Sequence, residues 1–295
     1  MTIMAMIVSR GNAMTGTIPR ITLPSGQMVP ALGQGTWYMG EDSAQRRYEI
    51  EALRSGINLG MTLIDTAEMY ADGEAEDVVG GEAVSGRRDD VFLVSKVLPF
   101  NASRKGTIEA CERSLKRLRT ERIDLYLLHW RGRYPLEETV AAFEQLKHAG
   151  KIASWGVSNF DTDDMKELAS VASGMDVATN QILYNLTRRG PEFDLMPWCA
   201  ERKIPLMAYS PIEQGRLLDD PVLTEIAGQT GGTPASVALA WTMRGGNVIA
   251  IPKSSNLHHV QDNRKAAELR LSNDQLKRLD QTFSPPSRKT ALEML

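Results

Sequence analysis

The segment Ile123-Asp124-Leu125-Tyr126-Leu127-Leu128-His129-Trp130 is an apolar run that ends in polar and aromatic side chains. Seven further short apolar runs stand along the chain, at residues 32–36, 62–65, 91–97, 153–158, 178–181, 206–210 and 248–252. Runs of this kind are typical of strands that are buried on both faces in a parallel sheet. The sequence therefore predicts eight buried strands.

Amphipathic stretches separate these runs. Apolar residues recur at helical spacing within residues 44–59, 108–118, 136–148 and 161–172, and glycines such as Gly60 and Gly150 follow several of them. Strands that alternate with helices form a parallel sheet with the helices outside it. Eight such units in 295 residues predict an α/β fold, a (β/α)8 TIM barrel.

An open, doubly wound sheet is the alternative architecture. Such a sheet normally carries a glycine-rich nucleotide loop after its first strand. Here the first strand gives Gly33-Gln34-Gly35-Thr36-Trp37, which lacks the third glycine of that loop, and no acidic partner is evident. The barrel is therefore favoured.

Three additions to the barrel are expected. A Pro24-Ser25-Gly26 turn between two short β-prone segments predicts an N-terminal hairpin. Residues 221–231 and 272–283 have the pattern of two extra helices, the second with Ser272 as its N-cap and Gln275 three residues later. Residues 18–295 are predicted to form a single domain. Residues 1–17 are predicted to be a disordered leader, either native or left by cloning.

Composition excludes several classes of protein. Hydrophobic residues make up 42% of the chain, which is ample for a large core. The net charge is -3, and this near balance gives no excess of positive charge for binding nucleic acid or an anionic membrane. Cys111 and Cys199 are isolated in sequence, which indicates neither a metal site nor a disulfide framework and fits the cytoplasm. The longest apolar runs are too short to span a membrane. We expect a monomer, because no exposed apolar patch is evident.

Polar side chains stand where three successive predicted strands end. In this barrel the site is expected at the carboxyl ends of the strands. Lys96 is costly on a buried strand unless an anion pairs with it, and Asp65 on the neighbouring strand is the expected partner. The positive charge of Lys96, fixed by this pair, is predicted to lower the pKa of Tyr70. Tyr70 is then expected to donate a proton to a carbonyl oxygen, and His129 to orient the same oxygen.

The chain resembles the aldo-keto reductase superfamily from about residue 18 to its end. The resemblance rests on eight segments in the family's order, each at a predicted strand end: Gly35-Thr36-Trp37, Asp65-Thr66-Ala67-Glu68-Met69-Tyr70, Leu93-Val94-Ser95-Lys96, Asp124-Leu125-Tyr126-Leu127-Leu128-His129-Trp130, Gly156-Val157-Ser158-Asn159-Phe160, Asn180-Gln181, Ala208-Tyr209-Ser210-Pro211 and Ile251-Pro252-Lys253-Ser254. Within the family it is similar to bacterial cytosolic reductases of small aldehydes such as methylglyoxal. The resemblance implies a catalytic tetrad of Asp65, Tyr70, Lys96 and His129.

The resemblance also implies an NADPH site. Ser158, Asn159 and Gln181 would hold the nicotinamide carboxamide, and Tyr209 would stack on the ring. The remaining implied cofactor contacts near the reacting end and along the pyrophosphate are Thr36, Trp37, Asp65, Ser210, Ile212 and Gly215.

The adenosine end of the cofactor decides between NADPH and NADH. Lys253 and Ser254 match positions that grip the 2′-phosphate, and Asp262 and Asn263 match those that face the adenine. His259 stands where the family commonly has arginine, and it lacks the fixed charge and fork of a guanidinium. We expect NADPH to be preferred and NADH to remain possible. The alternative for His258 and His259 is that they merely cap a helix or face solvent.

These residues predict an NADPH-dependent reductase of aldehydes or ketones, reversible toward alcohol oxidation. Trp37, Tyr70, His129 and Trp130 are expected to form the pocket for a small carbonyl substrate. One alternative is a non-catalytic NADPH-binding sensor or channel-associated subunit, which has no need for Tyr70. Another is an isomerase or aldolase in which Lys96 forms a Schiff base; pairing with Asp65 makes Lys96 a poor nucleophile and argues against it.

Overall fold

A computed structural model describes residues 16–295 of the chain. Nearly all of the predicted leader of residues 1–17 lies outside the described residues, and that prediction stays a prediction. Gly16, at the start of the described part, donates a backbone hydrogen bond of 3.2 Å to Glu268.

Eight parallel strands form the centre of the molecule, and each coincides with one of the predicted apolar runs. They are β3 (Gln34–Gly35), β4 (Leu63–Asp65), β5 (Phe92–Val97), β6 (Ile123–Leu128), β7 (Ile152–Ser158), β8 (Asn180–Leu183), β9 (Leu206–Tyr209) and β10 (Val248–Ala250). Each strand pairs with its neighbour in chain order. Parallel bridges from Leu32 to Ala250 and from Gly35 to Lys253 join the last strand to the first. The TIM barrel is confirmed.

The predicted hairpin precedes the barrel. Strands β1 (Arg20–Thr22) and β2 (Met28–Pro30) pair antiparallel around a turn in which Gly26 has a φ of 84°. Ile21, Leu23 and Val29 pack in one buried cluster with Leu63 and Phe92, the first residues of β4 and β5. The hairpin therefore plugs the barrel at the amino-terminal ends of its strands, and the opposite end is left for a site.

Ten α-helices lie in the described part of the chain. They are α1 (Arg46–Asn58), α2 (Glu74–Val78), α3 (Arg104–Arg117), α4 (Leu136–His148), α5 (Thr162–Ser170), α6 (Leu195–Glu201), α7 (Pro221–Thr230), α8 (Pro234–Met243), α9 (Leu257–Lys265) and α10 (Asn273–Thr282). The longest of these has 14 residues, and within residues 16–295 no helix is both long and apolar enough to cross a bilayer.

The two predicted extra helices are α7 and α10, which pack against each other. Asp220 accepts hydrogen bonds from the first turn of α7, and Pro221 occupies the first helical position. In α10, Ser272 and Gln275 form the predicted capping box. Local sequence signals therefore set where both helices begin.

Candidate active site

The carboxyl ends of β4, β5 and β8 bring three polar side chains together inside the barrel. Lys96 is fully buried, and its Nζ donates to Asp65 Oδ2 at 2.8 Å and to the Thr66 carbonyl at 2.8 Å. Gln181 Nε2 donates to the other carboxylate oxygen of Asp65 at 2.7 Å. The expected pairing of Lys96 with Asp65 is confirmed, and it satisfies a charge that would otherwise be costly to bury.

Tyr70 reaches this cluster from the loop after β4. Lys96 Nζ donates to the Tyr70 hydroxyl at 3.0 Å. The chain turns directly after Tyr70, where Ala71, Asp72 and Gly73 have φ values of 48°, 51° and 98°. Such left-handed backbone is strained for residues other than glycine and persists where surrounding contacts hold it.

A buried hydrogen-bond network between α2, β5 and α3 supports this turn. Glu76 is fully buried on α2 and accepts hydrogen bonds from Ser95 Oγ at 2.5 Å and from Arg117 Nε at 2.6 Å. Ser95 is the strand neighbour of Lys96. Lys96 therefore contacts Tyr70 on one face of β5, and Ser95 contacts Glu76, a few residues further along the same segment, on the other face.

The pKa of Tyr70 is shifted in the opposite direction from the prediction. Burial, reinforced by the negative charge of Asp65, raises the pKa of Tyr70 well above its ordinary value. The predicted lowering by Lys96 was wrong, because the sequence reveals which charges are near but not how completely the phenol is removed from water. The hydroxyl is therefore protonated at neutral pH.

His129 follows β6 and lies edge-on to Tyr70, with 5.7 Å between the ring centroids. Burial, with a further contribution from Lys96, lowers the pKa of His129 well below its ordinary value, so the imidazole is neutral. Its Nδ1 is buried and has no hydrogen-bond partner among residues 16–295. A buried N–H without an acceptor is costly, which favours the tautomer with the proton on Nε2.

A small cavity of about 240 Å³ opens above Tyr70. It brings together all four residues of the predicted substrate pocket and four of the predicted carboxamide and ring contacts. Its lining is Trp37, Met69, Tyr70, His129, Trp130, Ser158, Asn159, Gln181, Tyr209, Met294 and Leu295. Asn159 accepts a hydrogen bond of 2.9 Å from the Tyr209 hydroxyl, which ties the ends of β7 and β9 together.

A second, longer cavity of about 420 Å³ meets the first at Trp37, Tyr70 and Tyr209. Residues of the loop after β9 line it, together with Lys253 and His259. Its other lining residues are Gly35, Thr36, Tyr38, Asp65, Ser210, Pro211, Ile212, Gln214, Gly215, Leu218, Ile251 and Pro252. The cavity has aromatic rings at one end and a cation at the other.

Three predicted cofactor residues, Ser254, Asp262 and Asn263, line neither cavity. Ser254 Oγ accepts a hydrogen bond of 3.1 Å from the Asn256 amide. Asp262 and Asn263 are buried on α9, and Asp262 pairs with Lys265 at 2.8 Å and with His258 at 3.2 Å. His258 therefore faces Asp262, whereas His259 faces the cavity.

Sequence reasoning missed the contribution of the carboxyl-terminal tail. Met294 and Leu295 line the small cavity more than 160 residues beyond His129 and Trp130. The tail has no hydrophobic periodicity that would have placed it there. Tyr38, which stacks on Trp37 at 4.5 Å, and Leu218 were missed on the long cavity.

The sequence and the fold of this chain match a known family. The sequence model of the aldo/keto reductase family covers residues 31–283, and the chain belongs to this family of oxidoreductase enzymes. Methylglyoxal reductase YeaE of Escherichia coli (strain K12) is 54% identical over 272 residues, which are 90% of this chain and 95% of that protein.

Comparison with solved structures indicates the same family. An aldo/keto reductase from Klebsiella pneumoniae, crystallised with NADP and acetate, superposes with a TM-score of 0.92 at 49% identity, covering 95% of this chain and 100% of the other. A second structure of an aldo-keto reductase from the same organism, with NADPH, gives the same TM-score, identity and coverage.

Proposed function

We propose that this protein reduces aldehydes or ketones to alcohols, with NADPH as the hydride donor and Tyr70 as the proton donor. The observation that carries the proposal is the Tyr70 hydroxyl, which lies 3.0 Å from a buried ammonium where the two cavities meet. Reduction adds a hydride to the carbonyl carbon and a proton to its oxygen. A hydroxyl at this junction is placed to supply that proton.

Tyr70 acts as an acid because of its neighbours. Its raised pKa keeps the proton on the phenol until a carbonyl oxygen gains negative charge. The phenolate left behind accepts the hydrogen bond from Lys96 Nζ, and the charge of Lys96 is held by Asp65. In the reverse direction the phenolate serves as the base.

His129 is proposed to orient the carbonyl. Its neutral imidazole presents Nε2–H to the small cavity, where an N–H donor stabilises charge that develops on the substrate oxygen. Because the ring is neutral, it orients the oxygen without competing with Tyr70 as the proton donor.

The long cavity is proposed to hold NADPH, which supplies the hydride when bound. Its residues fit this group: Tyr209 offers a ring beside Tyr70, and Lys253 offers a cation for the 2′-phosphate at the far end. Ser158, Asn159 and Gln181 present amide and hydroxyl groups at the nicotinamide end. The two related crystal structures contain NADP or NADPH, which supports the same choice.

The small cavity is proposed to take a small aldehyde, with methylglyoxal as the first compound to test. A volume of about 240 Å³ suits a molecule of a few heavy atoms, and aromatic walls from Trp37 and Trp130 exclude water around it. The relative from Escherichia coli is a methylglyoxal reductase.

Replacing Tyr70 by phenylalanine tests the proposal. Tyr70→Phe should abolish methylglyoxal reduction while NADPH binding, followed by quenching of tryptophan fluorescence, stays near the wild-type value. The ring that packs beside Lys96 is retained, so only the proton donor is lost. Turnover retained by this variant would rule out the role of Tyr70.

The two alternatives are less well supported. A cofactor-binding sensor has no need for a phenol and an imidazole that converge on one small cavity. A Schiff-base enzyme needs a free amine, whereas Lys96 is buried and bonded to Asp65, Thr66 and Tyr70. Borohydride trapping of a substrate on Lys96 would revive that alternative.

A further inference from the structure

Arg188, in the loop after β8, lies between two acidic residues that belong to different walls of the site. Its Nη2 is 2.8 Å from Glu213 Oε1, and its Nη1 donates to Glu293 Oε1. Glu213 belongs to the loop after β9, and Glu293 belongs to the carboxyl-terminal tail. One guanidinium thus touches two segments that are 80 residues apart in sequence.

The contact with Glu213 acts on the long cavity. Glu213 is buried, and its other carboxylate oxygen accepts a hydrogen bond of 2.7 Å from Asn185 Nδ2. Around it the loop is strained, with φ values of 44° at Ser210, 48° at Glu213, 55° at Gln214 and 88° at Gly215. A loop in this conformation keeps its shape because Glu213 is anchored from outside it.

The contact with Glu293 acts on the small cavity. Glu293 immediately precedes Met294 and Leu295, which line that cavity. The side chain of Glu293 is half exposed, so its ion pair is weaker than the buried one at Glu213. Upstream, Lys289 fixes the tail separately through Asp163 at 3.0 Å and Asp194 at 3.4 Å.

We propose that Arg188 is a positioning residue that holds the wall of both cavities, the loop through Glu213 and the tail through Glu293. This rests on the proposed function, in which the long cavity holds NADPH and the small cavity holds a small aldehyde. Arginine suits the task because its planar fork donates in two directions at once, which a lysine ammonium does not match. Arg188 touches neither cavity, so its effect on both passes through the two carboxylates.

The effect on each cavity is separable. Without Arg188, Glu213 keeps Asn185 and a longer contact with Arg216 at 3.8 Å but loses its nearest cation, and a buried carboxylate in that state favours an opened loop. Release of NADPH should then become faster. Without Glu293, the tail loses its ion pair with Arg188 while the loop keeps Arg188, so substrate fit alone should change.

The experiment measures two quantities in four proteins. NADPH dissociation is followed by stopped-flow fluorescence, and KM for methylglyoxal is taken from initial rates. R188Q should release NADPH about tenfold faster and raise KM about threefold. E293Q should raise KM alone. K289Q removes a tail ion pair that does not involve Arg188, and it should leave NADPH release unchanged.

The outcomes are distinct. If R188Q alters only one of the two quantities or neither, the assignment of a shared anchor is wrong. A change of NADPH release in E293Q or K289Q would also overturn it, because the tail would then act on the loop without Arg188. Failure of the wild-type protein to bind NADPH would instead overturn the proposed function, and it would be seen before any variant is made.

Discussion

Gln181 Nε2 and Asp65 Oδ1 lie 2.7 Å apart across the barrel, where β8 and β4 face each other. Because Lys96 takes the other oxygen of Asp65, a single carboxylate joins three strands. Burial raises the pKa of Asp65, and these two hydrogen bonds oppose that rise. The proposed chemistry of Tyr70 therefore depends on a charge that the barrel itself holds in place.

Removal of that charge should affect both stability and activity. Asp65→Asn leaves the Lys96 ammonium without its partner, and breaking a buried pair costs about 3–5 kcal/mol. We expect this loss in denaturant unfolding, together with a fall in kcat of at least about a hundredfold.

Asp124→Asn provides the matched control. Asp124 is similarly buried and pairs with Arg88 at 2.8 Å, but it is the second residue of β6, at the opposite end of the barrel. It should lose stability and keep kcat. An Asp65→Asn protein that turns over at the wild-type rate would contradict the charge argument.

Cofactor choice should depend on Lys253. Lys253→Met should raise the Kd of NADPH about tenfold or more and leave the Kd of NADH unchanged, because a charged hydrogen bond to the 2′-phosphate is lost. Lys265→Met is the control, since Lys265 pairs with Asp262 on α9 and does not line the cavity. Equal losses for both cofactors would show that Lys253 does not read the phosphate.

His259→Arg should tighten NADPH binding relative to NADH. His259 already faces the long cavity near Lys253, and a guanidinium there would add a fixed charge with two donors. Fluorescence titration with each cofactor measures the ratio of the two Kd values. An unchanged ratio would mean that this position does not reach the phosphate.

A methyl group at Gly73 should disturb Tyr70 from three residues away. A Cβ there would lie 2.6 Å from Arg117 Nε, which is held by Glu76. Gly73→Ala also carries the strain of a φ of 98°, roughly 1–2 kcal/mol. We expect a lower melting temperature and a kcat reduced about tenfold, with the misplaced proton donor as the cause.

Gly26→Ala separates strain from the clash. Gly26 has a φ of 84° in the hairpin turn, but nothing lies within 4 Å of its Cβ position. This variant should lose a similar amount of stability and retain full activity. If both alanine variants retain full kcat, the turn after Tyr70 does not position the hydroxyl.

Acid should destabilise the folded protein through His129. Its pKa is well below the ordinary value of 6.5 in the folded state, so below that pH the unfolded chain binds a proton that the folded protein does not. The stabilisation is present above pH 6.5 and is lost as the pH falls, by about 1.4 kcal/mol per pH unit. Between pH 7.5 and 5.5, wild type should lose up to about 1.4 kcal/mol more than His129→Gln. Equal losses would mean that His129 is not held neutral by burial.

Much of the fold and of the candidate site could be predicted from the repeated apolar runs of the sequence. Each strand appears as an apolar run, and the carboxyl ends of adjacent parallel strands meet at one end of the barrel. That regularity alone predicts that Asp65, Lys96 and His129 lie together. The capping residues Ser272 and Asp161 likewise mark where α10 and α5 begin.

Other features depend on contacts that no local pattern encodes. The left-handed turn at residues 71–73 is held by Glu76 and Arg117, which come from elements with no sequence signal for their meeting. Met294 and Leu295 reach the small cavity through ion pairs of an aperiodic tail. The direction of the Tyr70 pKa shift required its degree of burial, which only the folded structure reveals.

The two cavities share Trp37, Tyr70 and Tyr209, yet the rest of their linings come from different parts of the chain. Met69 and Trp130 stand on loops, and Met294 and Leu295 on the tail, whereas the long cavity is lined by the segments that follow β9 and β10 together with residues of β3 and β4. Natural selection can therefore exchange tail residues and change which aldehyde the proposed substrate cavity accepts, while the proposed source of reducing power is inherited unchanged. Tyr70, the proposed proton donor, lies at the boundary between the two cavities.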